Sequence, residues 1–255
     1  HNVENIAWEK AGIMRPHKPS VISLFQPPKS LLRHAQENNV PLVRLGQDYL
    51  YQGVSKNHWQ LNWQNNHFAD LPMPALKGGF QLQNASAAIM AIDLLNLTPK
   101  ISSNAVAKGL QQVTLAGRYQ QINENPLVTV DVAHNRQSAD KLAELLNDTP
   151  NAGKTIGIVA MLGDKAIADV LNAVKSEIDH WVSAGLFVER GMTSKNMAQA
   201  VRNVQSNVKL SACETVSEAC AQALALAQEN DRIIVFGSFY TVAEAIMFIK
   251  TNKAK

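Results

Sequence analysis

The chain has 255 residues, of which 46% are hydrophobic and 18% are charged, and its formal net charge is +3. No apolar run approaches the length of a membrane-spanning helix, so we expect no membrane partner. The basic residues are scattered and form no Lys/Arg-rich block, which argues against a nucleic-acid partner. Only Cys213 and Cys220 are present, both expected on a helix. They are too few for a disulfide framework or a zinc site, which fits a cytoplasmic protein.

The first residues lead directly into a helical pattern, with no initiator Met and no preceding strand. We therefore expect the chain to be part of a longer polypeptide. A β-α-β unit is predicted next, because strand-like residues 18–26 and 41–45 flank a helical pattern at 30–39.

Residues 48–68 alternate polar with aromatic or apolar side chains, a pattern that predicts a peripheral antiparallel hairpin. Pro72 and Pro74 should break this pattern. An Ala-rich helix is expected at 80–95, and Ser103 is expected to cap a further helix that runs through Leu110.

From Leu127 onward, apolar strand-like runs alternate with helical patterns. The predicted strands are 127–130, 155–160, 181–184, 208–210 and 232–236. The predicted helices begin near 138 and then cover 167–174, 195–204, 216–228 and 242–249. This alternation implies β-α-β crossovers and a mostly parallel sheet, so the predicted fold class is α/β with a Rossmann-like C-terminal domain. A Gly and a charged residue interrupt the helix near 114–118, where we place the domain boundary.

A polar cluster surrounds the first strand of this block. Asp131, His134 and Asn135 follow the apolar run 127–130, and Arg118 precedes it. Ligands of open α/β sheets bind at the carboxyl ends of the strands. Arg donates to phosphate oxygens, Asp accepts from ribose hydroxyls, and a His-Asn pair reaches a carboxylate or an amine. The set suits a nucleotide and a small acidic acceptor. The alternative is that Asp131 and Asn135 only cap the next helix.

Three segments carry a joint signature, and two later segments add to it. The three are Ile6-Ala7-Trp8-Glu9-Lys10-Ala11-Gly12-Ile13, Gln81-x-x-Asn84-Ala85, and Gly117-Arg118 with Asp131-Val132-Ala133-His134-Asn135. The later two are Ala160-Met161-Leu162-Gly163-Asp164-Lys165 and Phe236-Gly237-Ser238-Phe239-Tyr240-Thr241-Val242. Together they resemble the folylpolyglutamate synthase/dihydrofolate synthase family of the Mur ligase superfamily, over all 255 residues. The resemblance implies that residues 1–115 are the C-terminal part of the central ATP-binding domain, and that residues 116–255 are the Rossmann-like glutamate-ligase domain.

The family's glycine-rich phosphate loop, and most of its metal and pterin ligands, would lie upstream of Glu9-Lys10 and are not among these residues. No Gly-x-x-x-x-Gly-Lys-Ser/Thr pattern occurs, and Gly153-Lys154 is interpreted as a turn before a strand. We therefore expect the chain by itself to be inactive as a ligase.

The resemblance also implies roles for single residues. Lys10 matches a lysine that family members carbamylate, which turns it into an oxygen ligand for Mg²⁺. The alternative is an ordinary ammonium paired with a carboxylate. Asn84 matches a residue on the adenine side of ATP, Arg118 one that approaches the phosphates, and Asp131 one that holds the ribose. A helix cap for Asn84 and a surface position for Arg118 are the alternatives.

His134 and Ser238 match positions that face the incoming glutamate or the acyl phosphate, and they are the candidate catalytic residues. A structural histidine and a cap of the last helix are the alternatives. Two positions depart from the family pattern: Arg136 stands where Pro is common, and Ala166 where an acidic residue is common.

The implied activity is ligation of L-glutamate to dihydropteroate or to a folylpolyglutamate, with ATP and Mg²⁺, through an acyl phosphate. Such chemistry depends on positioning and charge neutralisation more than on a protein nucleophile. The expected partners are these small molecules, and the expected state is a cytoplasmic monomer. Two other functions stay open: another amino-acid ligase of the Mur superfamily, and a nucleotide- or glutamate-binding module without catalysis.

Overall fold

The computed structural model describes residues 2–64 and 66–253, and the chain divides into two compact units, His1–Thr114 and Leu115–Lys255. In the described part of the chain, no helix is long and apolar enough to cross a membrane.

The first unit opens with helix α1 (Val3–Ala11), strand β1 (Ser20–Ile22), helix α2 (Lys29–Glu37) and strand β2 (Leu42–Arg44). Strands β1 and β2 pair in parallel, which confirms the predicted β-α-β unit. Glu4 of α1 fixes the start of α2, because its carboxylate accepts from the backbone N–H of Ser30 at 2.7 Å.

The hairpin predicted at 48–68 is in fact a three-stranded antiparallel sheet. Its strands are β3 (Tyr49–Gly53), β4 (His58–Trp63) and β5 (Asn66–Pro72), in the order β3-β4-β5. Pro72 does not break the pattern but is the last residue of β5. An edge strand tolerates Pro there because its missing N–H removes no bond from the sheet interior.

Two helices complete the first unit, α3 (Phe80–Asp93) and α4 (Ser103–Gln112). The cap of α4 is Ser102 rather than the expected Ser103, because the Ser102 Oγ accepts from the N–H of Ala105 at 3.2 Å. The core of this unit contains the buried Trp59, Leu61 and Trp63 of β4.

The second unit alternates strands with helices around one sheet. Its strands are β6 (Gln120–Asn123), β7 (Leu127–Val130), β8 (Thr155–Val159), β9 (His180–Ala184), β10 (Lys209–Cys213) and β11 (Arg232–Phe236). Its helices are α5 (Arg136–Asp148), α6 (Ile167–Val174), a 3₁₀ turn (Lys175–Glu177), α7 (Ser194–Val204), α8 (Val216–Leu226) and α9 (Phe239–Lys253). The strand order is β10-β9-β8-β11-β7-β6, and every pair is parallel except β6 with β7. The predicted α/β class with a mostly parallel sheet is confirmed.

Helices cover both faces of this sheet, so its central strands are buried on both sides. Residues of α8 and α9 pack on one face, against Val128, Ile156 and Ile233. Residues of α5, α6 and α7 pack on the other face, against Val159 and Ile234.

Two details of the second unit differ from the prediction. The polar break before residue 127 contains the edge strand β6, which pairs antiparallel with β7. Cys213 is the last residue of strand β10, and only Cys220 lies on a helix. Gln120 is half-buried and Gln121 is exposed, and such polar residues give no apolar pattern, so β6 has no strand signature in the sequence.

Candidate functional site

Three neighbouring strands of the second unit, β7, β11 and β8, end side by side at the carboxyl edge of the sheet. The chain runs from β7 to β8 and later returns to place β11 between them, so the strand order reverses here. Such a reversal is where open α/β sheets bind ligands. The loops that follow β7 and β11 carry the predicted residues Asp131, His134 and Ser238. Together with Arg118 they are called the carboxyl-edge site.

Asp131 immediately follows β7 and is held by two backbone amides. Its Oδ2 accepts from the N–H of Tyr119 at 2.9 Å and its Oδ1 from the N–H of Ala133 at 2.8 Å. Burial raises the pKa of the Asp131 carboxyl above its ordinary value, although these two bonds and the charges of Arg118 and His134 act in the opposite direction. Asp131 therefore does not cap a helix; it ties the segment before β6 to the loop after β7.

A tight turn at Gly117 sets the position of Arg118. Gly117 has a φ of 71°, and an added Cβ would lie 2.7 Å from Val132 Cγ1 and 2.9 Å from Val242 Cγ1, so only glycine fits. The Gly117 carbonyl accepts from the N–H of Val132 at 2.8 Å. Arg118 is exposed, and among the described residues no carboxylate lies within 4.0 Å of its guanidinium.

The ring of His134 has a defined orientation. Its Nδ1 lies 2.8 Å from the carbonyl oxygen of Val132. A carbonyl only accepts, so this bond requires the proton on Nδ1 and leaves the Nε2 lone pair free in the neutral ring. The aromatic ring of Phe239, at the start of α9, lies 6.4 Å from the His134 ring between centroids. The loops after β7 and β11 thus meet at His134.

Asn135 caps α5, as the alternative of a helix cap predicted. Its side chain accepts from the N–H of Ser138 at 2.9 Å, and the Ser138 Oγ accepts from the N–H of Asn135 at 3.2 Å. The Ser138 Oγ also lies 3.2 Å from the N–H of His134, so this capping box holds the backbone of the histidine. Arg136, the departure from the family pattern, pairs with Asp140 at 2.8 Å.

Ser238 is only 4% exposed and directly precedes the last helix. Its Oγ accepts from the N–H of Thr241 at 3.0 Å and lies 2.7 Å from the Thr241 Oγ1, so it caps α9. Thr241 in turn donates to the carbonyl of Ala160 at 2.7 Å, which joins this cap to the end of β8. Ser238 thus has the capping geometry of the alternative interpretation, and its hydroxyl is occupied within the protein.

Sequence reasoning missed three side chains around this edge. The Tyr119 hydroxyl lies 2.6 Å from the Thr149 Oγ1 and anchors the Arg118 turn to the end of α5. Phe239 packs beside His134, and Arg190 pairs with Asp164 at 3.0 Å. Each contact joins residues distant in sequence, so no local pattern could have indicated it.

Asn84, predicted to contact adenine, lies in the first unit within α3. The N-cap of α3 is Gly79, so the capping alternative for Asn84 is wrong. Its Nδ2 donates to the Gln81 Oε1 at 3.0 Å. Both amides line an otherwise apolar groove of about 320 Å³ between α3 and α4.

Lys10, the predicted metal ligand, is exposed in the last turn of α1. No carboxylate among the described residues lies within 4.0 Å of its ammonium, so the expected ordinary ion pair is not found there. The described residues also contain no group of three or more His, Cys, Asp or Glu side chains that could hold a metal ion.

The chain is similar to known proteins in sequence and in fold. Residues 117–239 match the family model "Mur ligase, glutamate ligase domain". The dihydrofolate synthase/folylpolyglutamate synthase of Escherichia coli K12 is 32% identical over 251 residues, which cover 98% of this chain and 56% of that protein.

Solved structures give the same result. E. coli FolC in complex with DHPP and ADP has a TM-score of 0.89 and 31% identity, and covers 99% of this chain and 58% of its own. A bifunctional folylpolyglutamate synthase/dihydrofolate synthase with Mn, AMPPNP and L-glutamate bound has a TM-score of 0.86 and 31% identity. The match covers 98% of this chain and 58% of that chain. The chain thus spans less than two thirds of the length of these relatives. The resemblance inferred from the motifs is confirmed: over almost its whole length the chain is similar to dihydrofolate synthase/folylpolyglutamate synthases, and residues 117–239 match a Mur ligase-type glutamate ligase domain.

Proposed function

We propose that the chain is part of an ATP-dependent ligase that joins L-glutamate to dihydropteroate or to a folylpolyglutamate. The observation that carries the proposal is the convergence of Arg118, Asp131, His134 and the Ser238 cap at one carboxyl edge. The solved relatives with ADP and DHPP, or with AMPPNP and L-glutamate, support the substrate classes. ATP supplies the phosphoryl group that activates the acceptor carboxylate.

The proposed nucleotide contacts fit the chemistry of the residues. The exposed guanidinium of Arg118 is available to phosphate oxygens. Each carboxylate oxygen of Asp131 accepts one backbone N–H and keeps a further lone pair for a ribose hydroxyl. Asn84 is proposed to contact adenine with the part of its amide that the bond to Gln81 does not use.

The proposed glutamate contacts lie around His134. Its Nδ1 proton is held by Val132, so Nε2 is placed as an acceptor for the glutamate amine, which must lose protons to attack the acyl phosphate. Ser238 acts through the start of α9. Its cap fixes the helix N-terminus, whose unpaired N–H groups and positive end favour a substrate carboxylate.

The proposal extends to the domains and the metal. Residues 1–115 are the C-terminal part of the ATP-binding domain, and residues 116–255 are the glutamate-ligase domain. Lys10, once carbamylated, contributes one oxygen ligand to Mg²⁺. We also propose a cytoplasmic monomer with neither nucleic acid nor membrane as partner.

This function is tested in an assay of the complete gene product, with dihydropteroate, a folate, L-glutamate and ATP as substrates. We expect ADP release that depends on glutamate and on the pteroate or folate. Arg118→Ala should lower kcat/KM for ATP by about 100-fold, because it removes charge from the phosphates. Arg136→Ala is the control, since Arg136 is already paired with Asp140. ADP release with a muramyl substrate alone would refute the folate assignment in favour of another Mur ligase.

A second candidate is a binding module without catalysis, and it applies to the 255-residue chain by itself. It is favoured because the sequence holds no Gly-x-x-x-x-Gly-Lys-Ser/Thr loop for the ATP phosphates. We expect this chain to bind nucleotide and to form no dihydrofolate. Measurable dihydrofolate synthesis by the purified chain would contradict this candidate.

A further inference from the structure

A second cleft lies at the opposite, amino edge of the six-stranded sheet. It encloses about 740 Å³ and is lined by residues at or just before the first residues of three strands. Lys154 precedes β8, His180 begins β9 and Lys209 begins β10, while Lys175 comes from the 3₁₀ turn. This group is called the amino-edge cleft. A volume of this order accommodates a small-molecule ligand.

The lysines of the amino-edge cleft have no ion-pair partner among the described residues. Among the described residues, no carboxylate lies within 4.0 Å of the ammonium of Lys154, Lys175 or Lys209. Lys175 donates to the Asn172 Oδ1 at 2.8 Å, which leaves its charge uncompensated. None of the three lysines is thus held in an ion pair with a described residue, although the charge of Lys154 acts on Asp231.

Two carboxylates also line the cleft, and backbone amides already hold both. The Asp179 Oδ2 accepts from the N–H of Thr155 at 2.8 Å. Asp231 accepts from the N–H of Lys154 at 2.6 Å and from the N–H of Gln228 at 3.0 Å. These bonds tie the loop ends beside the cleft together, so both carboxylates have a structural role.

The imidazole of His180 is sensitive to the charges that line the cleft. Burial lowers the pKa of its imidazole, and the charges of Lys209 and Lys154 lower it further. Its Nε2 lies 3.2 Å from the Ser211 Oγ on the neighbouring strand. Two ammonium groups from different loops thus act on one half-buried ring, and both line the same cleft.

We infer that the amino-edge cleft binds a small multivalent oxyanion through Lys154 and Lys209. The ligand class is a compact molecule that carries two or more phosphate or carboxylate groups, because such a molecule bridges cations from separate loops. The site is distinct from the carboxyl-edge site, since it lies at the other end of the same strands. It does not depend on the proposed ligase function.

The test uses the 255-residue chain at low ionic strength, where screening is weak. Pyrophosphate and citrate are titrated separately, and the ring protons of His180 are followed by NMR, assigned with His180→Gln. We expect saturable binding and a rise in the pKa of His180, because the anion offsets the two ammonium charges. The response to each anion identifies a phosphate or a carboxylate ligand.

The double variant K154Q/K209Q should bind about tenfold more weakly, since each exposed cation contributes modestly. Lys195→Gln is the matched control: Lys195 is exposed in the first turn of α7, which follows β9 at the carboxyl edge. Circular dichroism and urea unfolding check that both variants fold. The inference is overturned if neither anion gives a saturable shift of the His180 ring protons. It is also overturned if K154Q/K209Q binds the anion as tightly as K195Q.

Discussion

Asp131 shows how one residue serves both the fold and the site. The amides of Tyr119 and Ala133 hold its half-buried carboxylate, yet burial raises its pKa above the ordinary value of 3.8. Between the two pKa values the folded chain binds more protons, so the stability that Asp131 contributes falls as the pH rises through that window. A charged acid at this position thus has a cost at neutral pH.

The pH dependence of the stability that Asp131 contributes leads to the first prediction. The difference in unfolding free energy between wild type and Asp131→Asn should shrink as the pH rises from 3.8 through the raised pKa of Asp131. Asn leaves one of the two amides poorly paired, which adds a constant offset but no pH dependence. Urea unfolding at several pH values measures the difference.

Asp231→Asn is the matched comparison. Burial acts to raise the pKa of Asp231, but bonds from Gln228 and Lys154 and the charge of Lys154 lower it below 3.8 overall. Its contribution is then fully present above pH 3.8 and lost only as the pH falls further. Over the same pH range, the difference from wild type should stay flat. A difference for Asp131→Asn that grows with pH would contradict the assignment.

The second prediction concerns Gly237, between β11 and α9. Its φ is 118°, and an added Cβ would overlap the Ala160 carbonyl and lie 2.9 Å from Met161 Cγ. Gly237→Ala should therefore destabilise the chain by about 2–4 kcal/mol. Gly109→Ala is the control, because nothing lies within 4 Å of its added Cβ in helix α4. That change should stabilise by about 0.5–1 kcal/mol. Equal effects in thermal or urea unfolding would refute this interpretation.

At the residue scale, sequence reasoning identified which residues gather at the carboxyl edge but not what each one bonds. The sequence predicts that Asp131, His134 and Asn135 follow β7. Only the structure shows that Asp131 ties two segments together, that the His134 ring has a fixed orientation and that Asn135 caps a helix. The distinction depends on partners such as the amide of Tyr119, twelve residues before Asp131. A local pattern contains no information about such a partner.

At the scale of elements, the start of α9 carries the third prediction. The Ser238 cap is buried and linked through Thr241 to Ala160, whereas the Ser102 cap of α4 is exposed. Ser102→Ala should cost about 1 kcal/mol, and Ser238→Ala more, because it also removes the hydroxyl partner of Thr241. Urea unfolding gives both values. A smaller loss for Ser238→Ala than for Ser102→Ala would show that its main role is not the cap.

The elements that were predicted correctly are those with a strong hydrophobic period. Helix α6 and strand β11 were placed at their observed bounds, since both bury apolar residues in a regular way. Strands β5 and β6 were missed because edge strands expose polar side chains, and their pairing rather than their composition defines them.

At the scale of the whole molecule, the six-stranded sheet has a proposed binding site at each end. The reversal of strand order places the loops after β7, β11 and β8 together at the carboxyl edge. Parallel strands with crossover helices also bring three loop-strand junctions together at the amino edge, where Lys154, His180 and Lys209 meet. Parallel topology thus collects residues distant in sequence at both ends.

The fourth prediction links nucleotide binding to the stability of the whole chain. A ligand that binds only the folded state adds RT ln(1 + [L]/Kd), about 2.7 kcal/mol at 100-fold excess over Kd. ADP should therefore raise the thermal unfolding midpoint of the 255-residue chain, and Arg118→Ala should remove most of that rise. Arg136→Ala should leave it unchanged, because its partner is Asp140 within α5. Differential scanning fluorimetry at increasing ADP measures the shift. An equal rise in the wild type and in Arg118→Ala would place the nucleotide away from Arg118 and refute the proposed phosphate contact.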